Sequence, residues 1–111
     1  METTPPTVVV AMTSLPPSAD AAAFVGALLD ARLIACGTLL PGARSLYRWE
    51  GRVEDAAETL VLLKTTAEQL PLLREHIPSL HPYQVPELLA LPCTDGLPAY
   101  LEWVRGEVAK G

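Results

Sequence analysis

Basic side chains are scarce in this chain: eight Lys and Arg stand against thirteen Asp and Glu, a formal charge of -5. Gripping a nucleic-acid backbone takes clustered Lys and Arg, so DNA and RNA are excluded as partners. No run of like charges occurs, which removes an acidic or basic interaction tail. Gly26, Gly37, Gly42 and Gly51 are scattered, with neither dinucleotide-binding nor phosphate-loop spacing. Cys-x-x-Cys, His-Glu-x-x-His and Gly-x-Ser-x-Gly are all missing. No apolar stretch approaches the ~20 residues that span a bilayer. The opening "METTPPTVVVAMTSLPP" lacks the basic and apolar regions of a secretory leader. Cysteine is limited to Cys36 and Cys93, far apart in unlike surroundings. A disulfide between them stays open, but two thiols without an export signal fit a reducing cytoplasm.

What is present is apolar. Half of the 111 residues are hydrophobic, which is high for one domain of this size and points to surface hidden in an oligomer. Residues 1–6 read as a polar, proline-rich tail and 7–111 as a single domain. "TVVVAMT" (7–13) suits a strand buried on both faces. Ser18 is placed to cap a helix over 21–32, with Asp20 in its first turn. A second strand region spans 33–53, bent at Pro41-Gly42 and ending in a tight turn at Gly51. A third strand covers 58–65, making a long antiparallel hairpin with the second. Residues 66–80 form the next helix, with Leu70, Leu73, Ile77 and Leu80 as its core stripe. Pro71 moves its start to Glu68 or Gln69, and Pro78 and Pro82 end it. "VPELLALPC" (85–93) is a fourth strand, and 99–110 a last helix with Leu101, Val104 and Val108 inward.

The order β-α-β-β-α-β plus a terminal helix is an α+β, ferredoxin-like arrangement, an antiparallel sheet with its helices on one face. The other face has no helix left to cover it, and copies of the same chain are the simplest partner.

Few residues promise chemistry. Cys36 and Cys93 are better read as packing residues than as nucleophiles, and Glu58 with Glu87 as solvated strand ends, so no enzymatic activity is expected. His81 stands between the second helix and the fourth strand, and imidazole is a common metal ligand. Met12 would suit a soft ion such as Cu(I) if the fold set its thioether beside His81. Arg44, Tyr47, Trp49 and Glu50 crowd the hairpin tip. Lys64 is a lone charge in an apolar strand and needs a carboxylate, for which Glu87 is available, or an anionic ligand.

"LIACGTLLPGARSLYRWEGRVE", "LLKTT", "HPYQVPELLALP" and "YLEWV" occur in this order from about Val8 to Val104. Together they closely resemble the CutA family of divalent-cation tolerance proteins. The resemblance implies a ferredoxin-like subunit in a tight homotrimer, similar in architecture to the PII signalling proteins. It further implies tolerance to divalent cations, copper in particular, with no organic cofactor and no membrane partner. The family's metal contacts would fall at Met12, Leu80 and His81, of which only His81 keeps a matching residue. The positions Cys36, Arg44, Tyr47, Trp49, Glu50, Lys64, Tyr83 and Glu87 would line clefts between subunits. Two other functions stand beside this one. The first is a PII-like trimer holding a small anionic metabolite through Lys64 and Arg44. The second is a purely structural trimer acting through protein partners.

Overall fold

The computed structural model describes residues 4–109. The start of the expected tail (1–3), the end of the expected last helix (110) and residue 111 lie outside the described residues. Four strands and three α-helices follow the expected order. They are β1 (Val8–Leu15), α1 (Ala21–Asp30), β2 (Cys36–Trp49), β3 (Arg52–Thr66), α2 (Leu70–Leu80), β4 (Leu89–Pro92) and α3 (Pro98–Glu107), with one 3-10 turn at Ala67–Gln69. The sheet runs β2-β3-β1-β4 with every neighbour antiparallel, which is the ferredoxin-like topology. No helix among the described residues is long and apolar enough to cross a membrane.

Strand parity decides what each residue faces, because successive side chains point to opposite faces. Ala11 and Leu15 of β1, with Val61 and Leu63 of β3, turn toward α1 and α2 and form the main core with Phe24, Leu28, Leu73 and Ile77. Met12, Leu60 and Leu62 alternate to the other face, where Leu40, Leu89 and Leu91 stay 42, 55 and 53 % exposed. That face is not wholly bare. Helix α3 folds over one end of it, packing Val104 and Val108 against Val8 and Ala35.

The hairpin is longer than expected. Strand β3 starts at Arg52, not at residue 58, because "RVEDAAE" is two-sided and solvated and so shows no apolar signal. Its partner β2 absorbs Pro41-Gly42 as a bulge, the register jumping between Leu40 and Ala43. Glu50 and Gly51 close the tip with φ of 49° and 79°, the paired positive values of a type I′ turn. The molecule measures 54 × 26 × 22 Å. Its radius of gyration of 15.1 Å exceeds the ~13 Å of a compact chain this long, because the hairpin projects.

Helix boundaries moved for identifiable reasons. Asp20, not Ser18, is the N-cap of α1, accepting the Ala23 amide at 3.0 Å. The helix ends early in a Schellman arrangement: Arg32, at φ 57°, and Leu33 return their amides to Leu29 and Leu28. Pro71 lies in the first turn of α2, where no intrahelical amide partner is lost. Pro78 is accommodated inside α2, which ends only at His81, whose extended backbone precedes Pro82. Strand β4 keeps four residues, since Pro82 and Pro86 hold 81–88 out of the ladder.

Candidate functional site

His81 is buried beneath the sheet, not facing solvent. One ring nitrogen, Nδ1, accepts the Tyr83 amide at 3.1 Å, and the other, Nε2, lies 2.8 Å from the Ser14 carbonyl and 3.2 Å from the Thr13 hydroxyl. An amide can only donate and a carbonyl can only accept, so the ring is the neutral Nε2–H tautomer with both nitrogens occupied. Burial pushes its pKa below the ordinary histidine value, against the opposing pull of the Ser14 carbonyl, Glu58 and Glu87. The ring also meets Phe24 edge-on at 5.9 Å and Tyr83 at 5.0 Å.

Met12 does not join it. His81 engages Thr13, on the helix side of β1, and Met12 alternates to the opposite face. The expected thioether–imidazole pair is therefore split by the sheet within one chain. Leu80, at the position where the family resemblance places a further ligand, is 40 % exposed and has no donor atom to offer.

Beyond His81 the contacts continue to a carboxylate. The Tyr83 hydroxyl donates to Glu58 Oε2 at 2.6 Å. Glu58 is 5 % exposed, in β3 with the Ser45 and Ser14 hydroxyls nearby. Burial opposes its charge, but the hydroxyls of Ser45, Tyr83 and Ser14 and the nearby His81 outweigh burial and hold its pKa below the usual range. Burial, the bond to Glu58 and that carboxylate's charge push the Tyr83 hydroxyl strongly upward. Sequence reasoning took Glu58 for a solvated strand end. The available signal was its parity, since it shares a face with Leu60 and Leu62.

A cleft of about 460 Å³ opens above Glu58, between the hairpin and the segment entering β4. Tyr47, Trp49, Tyr83, Glu87 and Ser45 line it with Glu58. Four of the eight residues expected at clefts between subunits thus lie together within one chain, and the other four stand apart from them in that chain. Arg44 points to the opposite face and forms a two-bond pair with Asp55 at 2.8 and 2.5 Å. That pair is exposed, and the Arg44 guanidinium holds Asp55 below the usual carboxylate range. Glu50 sits in the turn at the tip. Within one chain Lys64 donates to the Thr38 hydroxyl and lies 3.8 Å from Cys36 Sγ. Lys64 and Arg44 lie seven register positions apart on opposite faces, roughly 23 Å at strand spacing. Within one chain no small anion can touch both. Cys36 and Cys93 are free, and two strands separate β2 from β4, about 14 Å at interstrand spacing and too far for a disulfide.

Comparison with known proteins bears on this architecture. The sequence profile described as CutA1 divalent ion tolerance protein matches residues 9–107. The chain belongs to the CutA1 family of divalent ion tolerance proteins. It is 43 % identical over 96 residues to the divalent-cation tolerance protein CutA of Thermus thermophilus, covering 86 % of this chain and 93 % of that one. Against the same-named protein of Citrobacter koseri the identity is 45 % over 103 residues, covering 93 % and 90 %. Among solved structures, CutA1 of Oryza sativa superposes with a TM-score of 0.92 at 34 % identity, covering 98 % of this chain and all of that one. The Thermus thermophilus divalent cation tolerance protein gives 0.88 at 40 %, covering 92 % and 99 %. The Thermus thermophilus and Citrobacter koseri relatives are named for divalent-cation tolerance.

Proposed function

We propose that the protein serves divalent-cation tolerance as a cytoplasmic homotrimer, binding copper or another divalent ion with donors pooled from more than one copy. The apolar sheet face carries this reading. Leu40, Leu89 and Leu91, with Met12, Leu60 and Leu62 between them, form a band that one chain leaves open. Such a band on a small protein needs covering, and closed symmetry among copies covers it completely. Among the described residues no three His, Cys, Asp or Glu side chains converge on one point, so a full coordination shell requires a second copy. Met12 presents its thioether on the face that copies would share, while His81 would first have to release the Tyr83 amide. The two free thiols suit a reducing compartment. The reading assigns no catalytic residue.

Light scattering combined with calorimetric titration of Cu(I) and Cu(II) tests it. The expected particle has three chains and takes up copper, Leu91→Asp breaks the assembly, and copper uptake falls with it. A monomeric protein at micromolar concentration sinks the trimer. Copper uptake that survives disassembly sinks the pooled-donor site.

A further inference from the structure

Among the described residues, two opposite charges on the open sheet face have no ionic partner in their own chain. Positions 58, 60, 62 and 64 of β3 alternate to that face, so Glu58 and Lys64 stand on it with Leu60 and Leu62 between them. Lys64 is half-buried, and its ammonium meets the Thr38 hydroxyl and, at 3.8 Å, Cys36 Sγ. Glu58 is 5 % exposed, bonded by the Tyr83 hydroxyl with those of Ser45 and Ser14 nearby. Six positions of extended strand separate the two charges, about 20 Å, so they cannot meet in one copy.

Covering the face changes what each charge costs. In a single chain water still reaches Lys64, and the cleft beside Glu58 is open. A second copy laid on the apolar band expels that water from both. Hydroxyl dipoles offset only part of the desolvation of an ion, so each group then needs a counter-charge. The chain carries the two at opposite ends of one face. In a closed ring every contact joins unlike patches of adjacent copies, so the lysine end of one copy meets the carboxylate end of the next. Among the described strand residues Arg52 is the only other cation on this face, and Glu54 lies two positions along to balance it. Glu87 lines the same cleft but is exposed, so water serves it where it cannot serve Glu58.

We propose that in the assembled protein the Lys64 ammonium of each copy enters the cleft of a neighbouring copy and pairs with Glu58 there. Each copy then gives its lysine to one neighbour and its carboxylate to the other. Two apolar bands alone could slide along one another, but a slipped register would leave both buried charges unpaired, so the pair fixes the docking. This rests on the homotrimer reading and adds to it the residues that decide which end of one copy meets which end of the next.

The test follows particle mass by light scattering as the full chain is diluted, in a fixed urea concentration at which wild type is half dissociated. Lys64→Glu and Glu58→Lys are each expected to dissociate at protein concentrations at least about tenfold above wild type, the scale of a close interfacial charge pair. The double variant Lys64→Glu/Glu58→Lys, with the pair reversed, should return to within about threefold of wild type. Should Glu58→Lys fail to fold, Lys64→Met and Glu58→Gln carry the test: each alone weakens assembly, and together they lose less than the sum of the two. A three-chain wild type whose dissociation ignores both Lys64→Glu and Lys64→Met overturns the pair and leaves the trimer standing, whereas a monomeric wild type overturns both. A double variant worse than either single change overturns the pair too. So does a loss reproduced by Arg52→Glu, or a Lys64→Glu loss restored by Glu87→Lys and not by Glu58→Lys.

Discussion

Tyr83 and Glu58, 25 positions apart in sequence, are joined by a 2.6 Å hydrogen bond that locks the segment entering β4 onto the hairpin. The bond closes a chain of contacts running from Phe24 in α1 through His81 to Tyr83 and Glu58. It is thus both the floor of the cleft and the link between the cleft and the core.

Removing the donor while keeping the ring isolates that link. Tyr83→Phe leaves Glu58 buried with only the Ser14 and Ser45 hydroxyls near it and is expected to cost about 1–3 kcal/mol, the worth of a hydrogen bond to a charged group. Thermal denaturation at fixed protein concentration reads the loss, and the Glu58 pKa should rise toward its ordinary value. An unchanged melting temperature would show that Ser14 and Ser45 suffice.

The same bond predicts behaviour in alkali. The Tyr83 pKa in the folded protein lies above its unfolded value near 10, so the unfolded chain gives up this proton first. The stability that the raised pKa supplies is complete below about pH 10 and is lost as pH climbs past it. Absorbance at 295 nm should show one late phenolic step that vanishes in Tyr83→Phe. If all tyrosines ionise together near pH 10 while the protein is folded, the bond is not maintained in solution.

His81 sets a second window, at the acidic end. Burial lowers its folded pKa below the unfolded value near 6.5, so under that pH the unfolded chain binds more protons. Stability should therefore be full above about pH 6.5 and decline as pH falls below it. In His81→Gln that part of the pH dependence is expected to disappear. A His81 ring that titrates at its ordinary value by NMR would contradict the two-sided hydrogen bonding described above.

How much of this was written in the sequence depends on the range of the interaction. The order of elements was legible because β1, the Leu73–Ile77 stripe and the Val104–Val108 pair carry strong apolar periods. The first half of β3 was not, because both faces of "RVEDAAE" are wet, and its pairing depends on β2. Tyr47, Trp49, Tyr83 and Glu87 were named as cleft residues and lie together. Arg44 does not join them within one chain, because the bulge after Leu40 shifts the phase of β2 and turns its side chain to the other face. Glu58 was missed because a carboxylate in a strand gives no local sign of burial, which here is decided by Tyr83, Ser45 and Ser14. His81 looked accessible for the same reason: its partners Thr13 and Ser14 are 68 and 67 residues away.

The hairpin tip offers a local test. Glu50 and Gly51 both hold positive φ, a conformation that favours Asn-Gly and penalises side chains with a β-carbon. Glu50→Asn should raise the melting temperature slightly, and Gly51→Ala should cost about 1–2 kcal/mol. If Gly51→Ala is neutral, the tip is free to adopt another turn.

Two glycines near the interface of α1 and the sheet should respond to alanine with opposite signs. A β-carbon at Gly37 in β2 would stand 2.5 Å from Val25 Cγ1 and 2.9 Å from Cγ2, closer than carbon atoms approach. Val25 is a buried, β-branched residue of α1 and has little rotamer freedom with which to retreat, so the helix itself must shift. Gly37→Ala is therefore expected to destabilise by about 1–3 kcal/mol, the usual cost of overpacking. Gly26, within α1, has open space within 4 Å of the same position, and its backbone is helical. Alanine there removes backbone freedom from the unfolded chain and should stabilise by about 0.5–1 kcal/mol. Denaturation midpoints of the two variants, measured at equal protein concentration, should move in opposite directions. If Gly26→Ala destabilises instead, the outer surface of α1 is packed against something in solution, and a change in particle mass on light scattering would identify it as another copy.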